Sequence, residues 1–377
     1  MNTRAWFLAF VFVCSYSASS AQSMFDSLYR IAEAGNADAQ IDIGDIYHNG
    51  IGTPINDTIA LKWYRRAAQS GSAAGQCNLG YMYENGLGGL DIDNREALKW
   101  YRKSAAQGFA RCQGNLGYMY ENGKGVNVDY EEALKWYRLS ADGKYSYGYL
   151  NVGRMYEKGL AVPRSDSAAL IWYRLAAESE NAVAQGMLGW MLEHGYGCRA
   201  DTAEAVKWYK RAAHNGDATG QNNLGRMYYF GIGGLNQDYS KAADLFHKAA
   251  KSGNVLAQYI LAQMHETGIG EVIKQDYSEA AEHYLAAARQ GHKGAQFRIG
   301  RMYYYGYGVA KNPGEAVYWY TQAEAQGDIN AAANLGVMLY EGQDVKQDKE
   351  KGQQLLRKAA SAGMKEAKAY MDAKGIN

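Results

Sequence analysis

The sequence predicts an all-α fold, an α/α superhelical solenoid of about nine helix-turn-helix repeats. The first observation behind this prediction is a phrase that returns about every 36 residues: L-G-x-M-Y-x-x-G, a stretch with carboxylates, then A-x-x-W-Y-x-x-A-A. The second is the scarcity of proline, three in 377 residues, which suits a mostly helical chain. Self-similarity at this period is typical of a stacked array in which each repeat buries its apolar face against its neighbours. The first glycine of the phrase, called the repeat glycine below, stands at Gly44, Gly80, Gly117, Gly153, Gly189, Gly225, Gly300 and Gly336, with Ala262 in its place once.

Each repeat is predicted to contain two antiparallel helices. Residues 73–85 place apolar and aromatic side chains at helical spacing, and Gly86 ends this first helix. A second helix covers residues 95–107 and follows an aspartate, Asp93, of the kind that caps a helix N-terminus or lies in its first turn. An Asp or Asn recurs at this point in all nine repeats, so the pattern predicts two helices in each of them.

The two glycines of the phrase are predicted to serve different purposes. The one represented by Gly86 is never replaced, which fits a left-handed helix end that only glycine adopts at little cost. The repeat glycine lies within the helix, where glycine costs about 1 kcal/mol relative to alanine. Since Ala262 replaces it once, we expect that it permits close approach of the two helices and is not needed for a positive φ.

The N-terminal residues are predicted to form a cleaved signal peptide, residues 1–21. Met1–Arg4 carry positive charge, Ala5–Val13 are apolar, and small residues precede a cut before Gln22. The apolar run is far shorter than the roughly 20 residues of a membrane anchor. We therefore expect an exported protein, periplasmic or secreted, with no stable membrane insertion. The rest divides into an N-terminal capping helix (22–36), nine repeats (37–363) and a C-terminal capping helix (364–377).

The repeated phrases resemble the Sel-one-like repeat family, relatives of the tetratricopeptide repeats. The resemblance is clearest in L-G-x-M-Y-x-x-G-x-G and K-A-x-x-W-Y-x-x-A-A, over residues 79–126 and 97–141, and it extends over nearly the whole chain. It implies an interaction scaffold whose first helices line a concave surface. The sixth, seventh and ninth repeats depart from the pattern because Leu245, His283 and Leu355 replace the tryptophan.

No motif in the chain indicates catalysis, a cofactor or a metal. The loops contain G-x-G, but each follows a helix and not the strand that a phosphate-binding loop requires. The seven histidines occupy unrelated repeat positions, and none forms a known zinc motif. Forty basic against 39 acidic residues give a net charge of +1, which argues against nucleic acid as a partner. Cys77, Cys112 and Cys198 are expected to be free thiols.

The candidate binding residues are those that vary between repeats, while the residues of the repeated phrase stay the same. Positions two before, one after and five after the repeat glycine share one face of the first helix. We expect them to form a peptide-binding groove in which amides satisfy a peptide backbone, aromatic rings supply contact area and arginines pair with carboxylates. The predicted residues are Asn151, Arg154, Trp190, Asn223, Arg226, Phe230, Arg298 and Arg301.

The sequence thus favours an exported, non-enzymatic scaffold or adaptor that binds a protein or peptide along its concave surface. Two alternatives remain open. The first is a cell-envelope factor whose tyrosines and tryptophans bind glycan. This alternative includes an association with peptidoglycan. The second is β-lactamase-like activity, which the resemblance admits from cysteine-rich secreted members, although this chain lacks their one disulfide per repeat.

Overall fold

A computed structural model describes residues 18–342 and 344–376, with side chains from Gln22 onward. Most of the predicted signal peptide, residues 1–17, lies outside the described residues, and residues 18–21 begin the first helix. The described chain divides into two compact units. Unit 1 extends to Met191 and includes Gly195–Ala200, and unit 2 comprises Leu192–His194 and the chain from Asp201 onward.

The described residues form 20 α-helices and no β-strand, which confirms the predicted fold class; one isolated bridge joins Ile269 and Ile273. The first ten helices are α1 (Ala18–Glu33), α2 (Ala37–Asn49), α3 (Asp57–Gln69), α4 (Ala73–Asn85), α5 (Asn94–Ala106), α6 (Ala110–Asn122), α7 (Tyr130–Asp142), α8 (Ser146–Lys158), α9 (Asp166–Glu178) and α10 (Ala182–His194). The remaining ten are α11 (Thr202–His214), α12 (Ala218–Phe230), α13 (Tyr239–Lys251), α14 (Val255–Thr267), α15 (Tyr277–Arg289), α16 (Lys293–Tyr305), α17 (Pro313–Ala325), α18 (Ile329–Glu341), α19 (Lys349–Ser361) and α20 (Lys365–Lys374).

Within each unit the helices pack as hairpins, one hairpin per repeat. In unit 1, α2 pairs with α3, α4 with α5, α6 with α7 and α8 with α9, and α3, α5 and α7 also pack on the first helix of the next pair. The even-numbered first helices α2, α4, α6 and α8 contact one another in series. In unit 2 the same pairing joins α12 to α13, α14 to α15, α16 to α17 and α18 to α19.

In at least five repeats the repeat glycine lies against a tyrosine ring of the second helix, whereas Phe246 and Leu356 occupy this place beside Gly225 and Gly336. A Cβ atom placed on Gly117 would come within 2.7 Å of the Tyr137 ring, and one on Gly44 within 2.4 Å of Tyr64. Such distances are far inside van der Waals contact, so the ring occupies the space that a side chain would need. The predicted close approach of the two helices is therefore confirmed.

The second glycine ends the first helix with a positive φ in all nine repeats. In eight of them it adopts the predicted left-handed conformation, as at Gly86, where φ is 63° and ψ is 41°. Gly268 differs, because its φ of 73° is joined to an extended ψ of 153°. The following loop departs from the others by pairing Ile269 with Ile273 in the single antiparallel bridge, which explains the different exit from the helix.

A buried glutamine near the start of the first helix ties it to the helix before. The Nε2 atom of Gln113 donates to the carbonyl oxygen of Ala105 at 3.3 Å, and Gln296 donates to that of Ala288 at 3.2 Å. These carbonyls belong to the last turn of the preceding helix, whose oxygens lack a partner within their own helix. The glutamine therefore satisfies a helix end and fixes the distance between successive hairpins.

We expect Gly117→Ala to destabilise the protein by about 1–3 kcal/mol, because the added methyl overlaps the Tyr137 ring. The sign of the change in stability is informative, since replacing glycine by alanine within an unobstructed helix is stabilising by about 1 kcal/mol. The measurement is the midpoint of urea unfolding followed by circular dichroism. Ala262→Gly serves as the reciprocal change and should also lower the midpoint. An increase in the midpoint for Gly117→Ala would contradict the packing role of the repeat glycine.

Candidate functional site

Five exposed aromatic side chains on the first helices fall at two positions of the repeat, one and five residues after the repeat glycine, and a further one, Tyr147, lies near the start of α8. Positions four apart lie on one face of a helix. One such residue occurs in each of five repeats, and all are at least 40% exposed: Tyr81, Tyr118, Trp190, Phe230 and Tyr305. We call these five the first-helix aromatics. Large apolar rings in contact with water are typical of a binding surface.

Unit 1 contains three of the predicted binding residues, Asn151, Arg154 and Trp190. The Arg154 guanidinium donates to the Asn151 side-chain oxygen and to a Glu121 carboxylate oxygen, both at 3.1 Å. Asn151 and Arg154 are therefore brought together and half-buried. Trp190 is 40% exposed and stacks on Tyr196, with 4.7 Å between ring centroids and 24° between ring planes.

Unit 2 contains Asn223, Arg226 and Phe230 on α12. Phe230 ends the helix, is 59% exposed and touches Tyr229 edge to face at 4.9 Å. Asn223 is buried and accepts a hydrogen bond from the Asn222 amide at 3.2 Å. The position two residues before the repeat glycine was predicted to share an exposed face with the other two. At Asn223 this position is buried instead, and the side-chain oxygen already accepts a hydrogen bond.

The predicted arginines are paired with glutamates of their own chain. Arg226 bonds Glu193, and both Arg298 and Arg301 bond one Glu266 oxygen, at 3.2 and 3.3 Å. Together with the Arg154–Glu121 pair, all four predicted arginines therefore have an internal counter-charge. Charge-assisted bonds of this kind hold the guanidinium groups in place.

Each of these glutamates also accepts a hydrogen bond from the buried tyrosine of its own repeat. The Tyr137 hydroxyl donates to Glu121 at 2.5 Å, and that of Tyr284 donates to Glu266 at 2.5 Å. Burial, reinforced by the neighbouring carboxylate, raises the pKa of both tyrosines well above its ordinary value, so both remain protonated donors. Glutamates that join a tyrosine to a cation of the next repeat, here called the shared glutamates, are Glu84, Glu121, Glu193 and Glu266.

The shared glutamates were missed in the sequence, although a signal for them exists. Each follows the repeat glycine, or Ala262, by four residues, and Arg154 and Arg226 follow their partners by 33 residues. Because this offset is slightly shorter than one repeat, each pair joins the end of one first helix to the middle of the next first helix. Comparison of successive repeats reveals the pairs, whereas no single repeat contains both partners.

Three histidines that the sequence analysis assigned to unrelated repeat positions lie together in unit 2. They are His247 on α13, His265 on α14 and His283 on α15, and one ring nitrogen from each lies within 4.8 Å of the others. The interpretation that no histidine group resembles a metal site is thus incomplete, because their relation is spatial and not a linear motif. The signal in the sequence is their even spacing of 18 residues, half a repeat, which places them on successive helices.

The other chemical features have structural roles. The three cysteines of the described chain are free, with Cys77 and Cys112 buried. The G-x-G loops follow helices, as at Gly86, which ends α4. None of the helices among the described residues combines the length and the apolar character needed to span a membrane.

Stacked helical hairpins, most of them closed by an aromatic ring packed on a glycine, define an α/α repeat scaffold. A sequence model of the Sel1 repeat matches nine segments: 37–72, 73–109, 110–145, 146–181, 182–217, 218–254, 255–292, 294–328 and 329–364. The chain therefore belongs to the Sel1 repeat family, and its resemblance to Sel-one-like repeats is confirmed.

Two solved structures resemble the chain over most of its length. The first is c5321, a protective antigen present in uropathogenic Escherichia coli strains, with 37% identity and a TM-score of 0.66 over 94% of this chain and 76% of that one. The second is a Sel1 repeat protein from Oxalobacter formigenes, with 30% identity and a TM-score of 0.59 over 88% of this chain and 93% of that one. Among proteins with a curated description, the comparison found no match.

We expect Glu121→Gln to lower the free energy of unfolding by about 1–3 kcal/mol, because it weakens the bonds to Tyr137 and Arg154 at once. The matched control is Glu131→Gln, which removes the same charge from an exposed site in the first turn of α7 and should cost less than about 1 kcal/mol. Urea unfolding measures both. Equal effects of the two changes would show that the shared glutamate has no special role.

Proposed function

We propose that this chain is an exported, non-enzymatic scaffold that binds an extended or helical segment of a partner protein on the exposed face of its first helices. The observation that carries the proposal is the exposure of the first-helix aromatics at equivalent positions of the repeat. Five aromatic rings occupy two equivalent positions of the repeat and remain at least 40% exposed. Aromatic side chains on a rigid frame supply large contact areas at a small cost in conformational entropy.

The internal ion pairs support a scaffold that is rigid before it binds. Because Glu121 and Glu193 already neutralise Arg154 and Arg226, the face that carries the rings has little unbalanced charge at these points. A partner therefore needs apolar and hydrogen-bonding groups more than a strongly acidic segment. A preorganised surface also avoids the ordering cost that weakens binding by flexible chains.

Export is supported by the charge and apolar pattern of residues 1–21. The uropathogenic E. coli relative is described as a protective antigen, a description that fits a protein accessible to antibodies. By analogy, we place this chain outside the cytoplasm, in the periplasm or secreted.

A second candidate function is binding of a cell-envelope glycan, and one cluster in unit 2 favours it. The ring of Tyr307 stacks on those of Tyr277 and Tyr305, each at 5.4 Å between centroids, with interplanar angles of 25° and 21°. All three tyrosines are exposed. The outer faces of such a stack offer flat apolar platforms on which a sugar ring can lie.

Mass spectrometry of the protein recovered from the medium or periplasm of a bacterial host tests export. We expect a mature N-terminus at Gln22, because small residues precede that bond. Ala21→Arg places a large charged residue before the cut and should leave an uncleaved precursor. Recovery of the wild-type chain from the cytoplasm with residues 1–21 intact would overturn the export proposal.

The binding face is tested with peptides selected on the wild-type protein from a random display library. We expect the double variant Tyr118→Ala/Trp190→Ala, in which both changes lie in unit 1, to lose at least about tenfold in affinity for these peptides, as loss of an aromatic anchor does. The matched control is Ile171→Ala/Tyr318→Ala, which removes side chains that are 62% and 52% exposed on second helices. Fluorescence anisotropy measures the affinities, and the control should bind as the wild type does.

Equal losses in the two double variants, or no enrichment of any peptide, would contradict the peptide-binding face. If peptides fail to bind while purified peptidoglycan sediments with the protein, the glycan candidate replaces it. In that case the variant Tyr277→Ala/Tyr307→Ala should abolish sedimentation, whereas Tyr118→Ala/Trp190→Ala should not.

A further inference from the structure

The histidine cluster of unit 2 joins three successive helices. His247 lies on α13, His265 in the last turn of α14 and His283 in the middle of α15. Their ring centroids are 5.8–6.2 Å apart, and one nitrogen from each ring lies within 4.8 Å of those of the other two. The sixth and seventh repeats therefore meet at three imidazole groups.

The hydrogen bonds of the cluster leave lone pairs available for a ligand. The Nδ1 atom of His247 lies 2.8 Å from the carbonyl oxygen of Ala243. Since a carbonyl can only accept, this nitrogen carries the hydrogen and the Nε2 atom of His247 keeps its lone pair. Both ring nitrogens of His265 are buried without a hydrogen-bond partner, which is costly unless another group satisfies them.

A carboxylate is positioned beside the same rings. Glu279 lies four residues before His283 on α15, and its negative charge acts on both His265 and His283. At the same offset in other repeats, Glu132 accepts a hydrogen bond from the indole of Trp136 at 2.8 Å, and Glu315 accepts one from Trp319 at 3.1 Å. His283 stands where those repeats have tryptophan, so Glu279 lies one helical turn from its ring in the same register.

We propose that His247, His265 and His283 bind one divalent transition-metal ion, with zinc the best match, and that Glu279 or a water molecule completes the coordination. Three imidazole nitrogens and an oxygen form a common tetrahedral zinc environment. Zinc–nitrogen bonds of about 2.0–2.1 Å require nitrogens about 3.3 Å apart, so small side-chain rotations close the present spacing. The ion would join the sixth and seventh repeats.

The protonation state of the rings supports this assignment. Burial, together with the other histidines, lowers the pKa of His283 below its ordinary value. Burial also lowers the pKa of His265, although the charge of Glu279 opposes the effect. The neutral form of these two rings, which is the form that binds a metal ion, is therefore favoured near neutral pH.

Zinc titration of the full chain, purified without a polyhistidine tag and stripped with EDTA, tests the site. We expect wild-type protein to bind one Zn²⁺ per chain and its thermal midpoint to rise with added zinc. His265→Gln and His283→Gln should each lose more than about 100-fold in affinity, since even the loss of an outer-shell partner costs 10–100-fold. The matched control is His214→Gln, which changes an exposed histidine on α11 and should bind zinc as the wild type does.

His283→Trp separates metal binding from folding. It restores the residue that most other repeats have at this position, so we expect a well-folded protein that binds no zinc. Binding of Co²⁺ provides the spectroscopic check, because thiolate ligands give an intense charge-transfer band and histidines do not. The proposal is overturned by the absence of saturable uptake, by undiminished uptake in His283→Trp, or by a thiolate band that places the ion on the cysteines.

Discussion

The contact between an aromatic ring and a glycine is the constraint on which most of the helical hairpins depend. The ring of Tyr137 fills the space beside Gly117, and its hydroxyl meets Glu121 one turn further along the same helix. The helices approach closely because one of them lacks a side chain, and the buried hydroxyl is tolerated because a carboxylate accepts its hydrogen bond. The same arrangement recurs at Gly80, Tyr101 and Glu84. These residues therefore meet two requirements together: close packing of the two helices and a hydrogen-bond acceptor for the buried hydroxyl.

The fold was predictable from the sequence because the phrase returns nine times. The all-α class, the paired helices and the roles of the two glycines were predicted and confirmed. The exception is Gly268, whose extended ψ depends on the bridge between Ile269 and Ile273. Nothing in the phrase itself encodes that loop, since its geometry arises from pairing within an irregular segment.

The candidate site was predictable only in part, because side-chain partners lie one repeat away. Exposure of Trp190 and Phe230 followed from their positions on the first helix. The pairing of Arg154 and Arg226 with glutamates did not, because it depends on how successive hairpins stack. The histidine cluster was hidden for the same reason. His283 stands in a tryptophan position and Ala262 in a glycine position, so the departures from the repeat pattern coincide with the region where His265 lies.

The shared glutamates have a consequence for how the length of such a chain can change. Each one bonds within its own repeat and to the next, as Glu121 does with Tyr137 and Arg154. A duplicated fourth repeat, which carries both Arg154 and Glu157, would place a second copy of Arg154 beside the first copy of Glu157 and so recreate this junction. Duplication of whole repeats can thus lengthen the array without new compensating substitutions.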